Sequence, residues 1–271
     1  MIDHRRPRTV ALIGCGNLGT QIARRIVQGA AGDYRLAAVL DARREQAEAL
    51  ARDTGAQCCE DLASLLREAP DYVIEAATGA VLKDMAVECL QTAHLIVLST
   101  GAFADDAFRA AAAQAAEQNG RKIYIASGAL GGFDLAQAAA LAGALEVRMR
   151  TRKPPRALIG APILGDRKLP DDREEDVFRG SAREAIAAFP QNVNVAVALS
   201  LAGVGLDETT VTVSSTPGAT RNRHIVELDG AFGSARIEIE ARPSPENPKS
   251  SLLAAYSVLA LLRKLRSPIE I

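Results

Sequence analysis

Three glycines with a fixed spacing carry the clearest chemical signal in the sequence. They lie in Gly14-Cys15-Gly16-Asn17-Leu18-Gly19, directly after a short apolar run and at the start of an amphipathic segment. In such a pattern the first glycine permits a tight turn, the second lets the backbone approach a diphosphate, and the third lets a helix pack closely on a strand. The N-terminus of that helix attracts the phosphates. We therefore predict a dinucleotide-binding turn in which Gly14, Gly16, Asn17, Leu18 and Gly19 contact the cofactor.

An acidic residue lies where the adenosine ribose of such a dinucleotide would bind. Asp41 ends the second apolar run, about 20 residues after the turn, and a carboxylate there accepts hydrogen bonds from the ribose hydroxyls of NAD. Arg43 and Arg44 follow it, and a guanidinium there could hold the 2′-phosphate of NADP. The alternative is that Asp41 only caps the next helix. The coincidence of turn, helix and acidic residue favours a cofactor site, with NAD or NADP as the cofactor.

Only three histidines are candidates for acid–base chemistry. His4 lies in the polar N-terminal segment, and His94 begins a strand of the first half of the chain. His224 follows Asn222 and Arg223 on a strand whose alternation places Val226 on the same face. Histidine is the side chain that titrates closest to neutrality without tuning, so it suits proton transfer. The alternative is a histidine whose hydrogen bonds are satisfied within a sheet.

Alternating strands and helices must position the glycine turn. Leu18, Ile22 and Ile26 form one apolar stripe on the helix that follows it. Short apolar runs alternate with such helical segments as far as residue 128, which predicts a parallel sheet covered on both faces. The predicted strands are Thr9–Ile13, Leu36–Leu40, Tyr72–Glu75, Leu95–Ser99 and Lys122–Ala126.

The second half of the chain has a different pattern, because several predicted strands follow one another without the regular alternation with helices. Ser181 and Glu184 form a capping box for a helix over residues 182–189, and a second helix is predicted from about Asn192 to Ala202. The predicted strands are Leu145–Thr151, Ala157–Ile159, Thr209–Ser215 and a hairpin of Arg221–Leu228 with Ser234–Ala241, joined through Asp229-Gly230.

The predicted fold class is therefore α/β, with an N-terminal Rossmann domain, a doubly wound parallel sheet, plus a C-terminal α+β catalytic domain. We place the dinucleotide-binding domain at residues 1–128 and the catalytic and oligomerisation domain at 129–249. The last helix, within residues 250–271, is expected to pack back on the first domain.

Composition limits the possible partners. The net charge of −1 and the scattered basic residues give no reason to expect nucleic acid, and no apolar run reaches the roughly 18 residues of a membrane span. The four cysteines show no metal-type spacing, so we predict no metal and a reducing, cytoplasmic location. A strand-rich second domain often supplies a symmetric interface, so a homodimer is expected.

Four further segments resemble, in order and over nearly the whole chain, motifs of the L-aspartate dehydrogenase family. They are SGALGGFD at 127–134, FPQNVNV at 189–195, NRH at 222–224 with GAFG at 230–233, and NPKSS at 247–251. The resemblance implies oxidative deamination of L-aspartate to oxaloacetate and ammonia through iminoaspartate, with NAD or NADP as hydride acceptor. It also implies a link to pyridine-nucleotide biosynthesis.

The resemblance assigns roles to individual residues. His224 takes the acid–base role, while Ala129 and either Asn192 or Asn194 contact the cofactor. The two asparagines could instead be helix caps, which is a common use of Asn at a helix start. For the substrate carboxylates, Lys249 is the preferred candidate and Asn222 the second. Arg221, Arg223 and Arg242 are further candidates.

Two departures from the family pattern leave rival functions open. Thr216-Pro217 stands where the family usually has Asp-Pro, and Ser250 stands where it usually has Thr. The first rival is another two-domain Rossmann dehydrogenase, acting on homoserine or a cyclic dicarboxylate. The second is a catalytically silent NAD-binding regulator that has kept the fold.

Overall fold

The chain divides into two structural units in the computed structural model, which describes residues 7–190, 193–242 and 251–269. The described residues up to Gly128, together with those from Ala254 onward, form the first unit. Those from Ala129 to Leu253 form the second. The second unit is therefore inserted between the two parts of the first.

The first unit is a parallel sheet of six strands in the order β3-β2-β1-β4-β5-β6. This order and its parallel pairing are those of a dinucleotide-binding sheet, so the predicted doubly wound fold is confirmed. Its elements are β1 (Arg8–Ile13), α1 (Asn17–Val27), β2 (Tyr34–Leu40), α2 (Arg44–Thr54), β3 (Gln57–Cys58), α3 (Leu62–Arg67), β4 (Tyr72–Glu75), α4 (Gly79–Thr92), β5 (His94–Val97), a 3-10 turn (Thr100–Ala104), α5 (Asp106–Gln118) and β6 (Ile123–Ile125).

The last helix, α10 (Leu252–Lys264), completes the core of the first unit. Val258 and Leu262 are fully buried in the same apolar cluster as Leu12 and Ile22. The hydroxyl of Tyr34 in β2 donates a hydrogen bond to the carbonyl of Leu262 at 2.9 Å. The chain thus returns to the first unit after forming the second.

The second unit is a mixed sheet in the order β11-β10-β7-β9-β8. Strands β7 and β9 are parallel, and the other neighbours are antiparallel. Its elements are α6 (Phe133–Leu141), β7 (Leu145–Lys153), α7 (Pro155–Leu158), β8 (Glu175–Ser181), α8 (Ala182–Ala188), α9 (Asn194–Ala202), β9 (Thr209–Ser215), β10 (Asn222–Gly230) and β11 (Gly233–Ala241).

The two faces of this second sheet differ in chemistry. Val147 and Met149 of β7 are buried on one face of the sheet. Gly203, the C-cap of α9, lies close to Val147 and to Ala136 of α6, so α6 and the end of α9 pack on this face. We call this the inner face. The outer face carries ion pairs between different parts of the sheet. Arg223–Glu240 and Arg236–Glu227 join the neighbouring strands β10 and β11, whereas Arg150–Asp176 and Arg152–Glu174 reach from β7 across β9 to β8 and to the residue before it. Each such exposed pair contributes little to stability.

Two local predictions for the second unit were wrong. Residues 157–159 were expected to be a strand. Ala157 and Leu158 instead belong to the short helix α7, and Ile159 is its C-cap. The helix begins at Pro155, because proline is preorganised for the first helical position. The hairpin turn lies at 231–232 and not at Asp229-Gly230, since Gly230 still pairs with Gly233. The capping box of Ser181 and Glu184 is confirmed, with both reciprocal hydrogen bonds present.

Of the helices in the described ranges, none is long and apolar enough to span a membrane. The four cysteines are free thiols.

Candidate active site

The three glycines of the turn after β1 are required for different physical reasons. Gly14 has φ of +99°, and a Cβ there would lie 2.6 Å from the carbonyl group of Ala76. A Cβ on Gly19 would lie 1.8 Å from the carbonyl oxygen of Gly14. A Cβ on Gly16 would meet nothing closer than the Arg43 guanidinium at 3.8 Å. Gly14 and Gly19 are thus needed by the fold, whereas Gly16 leaves open space beside the turn.

The start of α1 fits the phosphates of a dinucleotide. Its N-cap is Gly16, so no side chain caps the helix, and its first turn contains no acidic residue. Asn17 and Leu18 form that first turn. A helix N-terminus next to a bare glycine presents partial positive charge to an anion that can approach the backbone closely.

Asp41 fixes the turn to the end of β2. One of its carboxylate oxygens accepts a hydrogen bond from the backbone N–H of Cys15 at 2.7 Å, and the other accepts from the N–H of Arg43 at 2.8 Å. The N-cap of α2 is Arg43, so Asp41 is not the capping residue of that helix. A carboxylate has about four acceptor positions, so Asp41 keeps capacity for ribose hydroxyls.

The two arginines after Asp41 differ in their availability. Arg44 is paired with Glu48 at 2.8 Å and with Glu60 at 2.9 Å. Arg43 is exposed, lies 3.5 Å from Asp41 and is the nearest side chain to the open space at Gly16. Arg43 is therefore the candidate of the two for a 2′-phosphate.

A buried carboxylate joins the ends of β4 and β5. Glu75 accepts hydrogen bonds from the backbone N–H groups of Ala77 and Ser99 at 2.8 and 2.9 Å, and from the Ser99 hydroxyl at 2.7 Å. Burial raises the pKa of Glu75, and these hydrogen bonds act in the opposite direction. Glu75 holds the two loops at the carboxyl edge of the sheet, the edge at which open α/β sheets bind ligands.

In the second unit, His224 is buried on the inner face of β10. It is 4% exposed, and its Nδ1 lies 3.1 Å from the hydroxyl oxygen of Thr151 in β7. Burial, and after it the positive charge of Lys153, lowers the pKa of His224 to about 3. The imidazole is therefore neutral near pH 7.

Lys153 is a basic residue of this region that the sequence reasoning missed as a candidate. It ends β7 two residues after Thr151, so both side chains lie on the inner face. It is 3% exposed, and burial lowers its pKa to about 8. The alternation Val147, Met149, Thr151, Lys153 was the signal that could have revealed it.

Three neighbouring strands bring polar side chains to the same end of the inner face. Ser215 of β9 pairs with Lys153, and Asn222 begins β10 one residue before the pair of Arg223 with Arg152. Asn222 and Ser215 are buried, and the Ser215 hydroxyl has no hydrogen-bond partner among the described residues. Asn222, Lys153, Ser215, Thr151 and His224 form what we call the inner-face polar cluster.

The other predicted site residues are divided between different places. Ala129 is buried at the start of the second unit. Asn194 is the first residue of α9, whose N-cap is Val193, so Asn194 does not occupy the capping position. Arg221 and Arg223 pair with Glu240, and Arg223 points to the outer face, away from His224. Asn192, Lys249 and residues 247–250 of the NPKSS segment lie outside the described residues, as does His4, whereas Ser251 is described and buried.

The substitution at Thr216 does not act on the imidazole directly. The Thr216 hydroxyl donates to Glu174 at 2.8 Å, and Glu174 also pairs with Arg152 of the outer face. His224 bonds to Thr151 on the inner face. The side chain at 216 is thus directed away from His224.

Family models and sequence relatives match both halves of the chain. Residues 134–265 match the family model described as aspartate dehydrogenase, C-terminal, and residues 14–126 match homoserine dehydrogenase, NAD binding domain. The L-aspartate dehydrogenase of Methanosarcina barkeri is 39% identical over 270 residues, which cover 97% of this chain and 98% of that protein. The chain belongs to the L-aspartate dehydrogenase family.

Other relatives support the same membership of the aspartate dehydrogenase family. The L-aspartate dehydrogenase of Methanosarcina mazei is 37% identical, again with 97% of this chain and 98% of that protein covered. The crystal structure of aspartate dehydrogenase from Thermotoga maritima superposes with a TM-score of 0.77 at 27% identity, covering 97% of this chain and 99% of that one. The predicted family is confirmed, and the chain is an NAD(P)-dependent dehydrogenase.

Replacing Gly16 tests the phosphate-binding turn. We expect Gly16→Val to weaken NAD and NADP binding on the order of 100-fold, because the side chain would fill the space through which a diphosphate approaches the backbone. Titration calorimetry with each nucleotide measures this. Gly19→Ala is the comparison, since its Cβ clashes with backbone and should lower the melting temperature. Normal nucleotide binding by a folded Gly16→Val protein would contradict the assignment.

The cost of burying Lys153 is measurable as stability. Because its pKa is lowered from 10.5 to about 8, Lys153→Met should raise the free energy of unfolding at pH 7 by about 3 kcal/mol. The unfolded chain binds more protons than the native one between the two pKa values. The penalty is therefore complete below about pH 8, and it disappears as the pH rises towards 10.5. Denaturant unfolding of both proteins at pH 7 and pH 10 should show the gap closing.

Proposed function

We propose that this protein oxidises L-aspartate to iminoaspartate with NAD(P)⁺ and that iminoaspartate is then hydrolysed to oxaloacetate and ammonia. The observation that carries the proposal is the inner-face polar cluster, in which a neutral His224 lies beside Lys153 in the unit that matches the aspartate dehydrogenase C-terminal model. Relatives between 34% and 39% identical over 97% of the chain are named L-aspartate dehydrogenase, which supports the substrate.

His224 is the candidate acid–base group for the proton transfers of this reaction. Hydride loss from Cα requires a neutral amine, and water must afterwards add to the imine carbon. An imidazole whose Nδ1–H donates to Thr151 leaves its Nε2 lone pair free to accept a proton from the ammonium group or from the attacking water. The same nitrogen can return that proton to the departing amine. Thr151 fixes the ring orientation for both steps.

The first unit supplies the residues that would hold the nucleotide. The backbone of Gly14, Gly16, Asn17, Leu18 and Gly19 receives the diphosphate, and Asp41 receives the ribose. Ala129 and Asn194, with Asn192 as the alternative to Asn194, are proposed to contact the nicotinamide portion. When bound, the nicotinamide ring supplies the acceptor for the hydride from Cα.

The two rival functions receive less support. The homoserine dehydrogenase model matches only residues 14–126, and it describes an NAD-binding domain of a kind that many dehydrogenases share. The second unit, on which substrate choice depends, matches the aspartate dehydrogenase model instead. A silent regulator would have no need to bury a lysine beside a histidine, because that arrangement costs stability. A homodimer and a cytoplasmic location stay predictions, as does the link to pyridine-nucleotide synthesis.

An activity assay separates the three functions. Purified protein is mixed with NAD⁺ or NADP⁺ and L-aspartate, D-aspartate, L-glutamate or L-homoserine, and the absorbance of the reduced nucleotide is followed. We expect reduction with L-aspartate and release of one ammonia for each nucleotide reduced. Turnover of homoserine alone would favour the first rival. Nucleotide binding without turnover of any substrate would favour the regulator.

His224 is expected to contribute to the chemical step and not to nucleotide binding. His224→Ala should lower kcat by roughly 100- to 10,000-fold, the usual contribution of a positioned acid–base group. NADP⁺ affinity measured by calorimetry should stay unchanged. Thr151→Val is the matched variant, because it keeps the imidazole and removes only its orienting hydroxyl, so its kcat should fall less. Full activity of folded His224→Ala would exclude the mechanism.

A further inference from the structure

Lys153 is a positive charge buried on the inner face without a described counter-ion. Burial is the sole cause of its lowered pKa, and no carboxylate among the described residues pairs with it. Buried charges in proteins are normally paired, because an isolated charge loses its hydration without compensation. The neighbouring arginines of β7 contrast with it, since Arg150 and Arg152 pair with Asp176 and Glu174 on the outer face.

A second polar group beside Lys153 also lacks a partner. Ser215 is fully buried directly opposite Lys153 in the parallel pair of β7 and β9, and its hydroxyl makes no hydrogen bond within the described residues. Adjacent strands lie about 4.8 Å apart, so a single ligand atom can reach both side chains. An ammonium and a hydroxyl are both donors, and an unpaired pair of buried donors fits an anionic oxygen acceptor.

The position of this pair relative to His224 indicates which anion it would take. His224 pairs with Thr151, and Lys153 is the next inner-face residue along β7. Residues in such diagonal positions are about 7 to 8 Å apart, so two long side chains there can contact one small molecule. A ligand whose reacting carbon is at His224 would place a carboxylate at Lys153.

We infer that Lys153, assisted by Ser215, binds a carboxylate of the dicarboxylate substrate while His224 acts at the reacting carbon, Cα. The inference rests on the proposed function for the identity of the substrate. It assigns to a described residue a role for which sequence reasoning favoured Lys249. Lys153 is thus a substrate-binding residue. Its burial lowers the free energy of unfolding of the ligand-free protein, and it leaves an unpaired ammonium group that can bind the carboxylate.

Steady-state kinetics in the direction of amination test this inference. The reaction is run with oxaloacetate and with pyruvate, which lacks the second carboxylate, in the presence of ammonium and NADPH. Lys153→Met should raise the KM for oxaloacetate by roughly 10- to 100-fold, as expected for loss of a charge-assisted hydrogen bond, while kcat falls less. Lys153→Arg should recover part of the loss, and Ser215→Ala should raise KM by a few fold.

The comparison of substrates identifies the carboxylate. A KM change confined to oxaloacetate places the side-chain carboxylate at Lys153, and an equal change for pyruvate places the α-carboxylate there. Arg152→Met is the matched control, because it removes a cation from the same strand on the outer face and should leave both KM values unchanged. An unchanged KM in Lys153→Met, or an equal loss in Arg152→Met, would overturn the inference.

A binding measurement keeps this result separate from the proposed function. Calorimetric titration with succinate, an unreactive four-carbon dicarboxylate, should show binding to the parent protein and weaker binding to Lys153→Met, with NADP⁺ affinity equal in both. If the parent protein binds succinate through Lys153 but turns over neither aspartate nor oxaloacetate, the proposed reaction fails and the carboxylate site remains. If it turns over aspartate and the variant binds succinate equally well, the site fails and the reaction remains.

Discussion

Hydrogen bonds between the carboxyl ends of parallel strands hold the nucleotide edge of the first unit together. The backbone of Gly14 donates to Leu40, Asp41 accepts from Cys15, and Ala76 donates to Ile13. Glu75 then joins this edge to Ser99 of the next loop. Two acidic residues therefore form part of the frame of the turn before any ligand binds. Because their oxygens bond to backbone N–H groups, the position of the glycine turn depends on carboxylates as much as on glycines.

The second unit buries a positive charge on the inner face of its sheet. Strand β7 carries arginines on its outer face, where each has a carboxylate neighbour, and a lysine on its inner face, where none of the described carboxylates pairs with it. The same backbone alternation thus separates charges that are paired at the surface from the buried charge that we propose binds a carboxylate. Burial, and after it the positive charge of Lys153, lowers the pKa of His224, so the two inner-face groups are electrostatically coupled.

Much of the fold could be predicted from sequence because its signals are local. The glycine turn, the strand–helix alternation and the capping box at Ser181 each depend on residues a few positions apart. The errors came where a neighbour overrode the pattern, as when Pro155 started a helix at residues expected to be a strand. Lys153 was missed because its role depends on the tertiary structure around it. Its charge becomes informative only when β9 and β10 enclose it, and the sequence alone gives no measure of that burial.

The return of α10 to the first unit has a consequence for the order of folding. Val258 and Leu262 belong to the same apolar core as Leu12 and Ile22, yet about 230 residues of chain separate Tyr34 from the carbonyl it bonds. During synthesis on the ribosome, part of the core of the first unit therefore stays exposed until the second unit and α10 have been synthesised. A chain truncated within β10 or β11 would contain every strand of the first sheet but would lack α10, so part of its apolar surface would still face water.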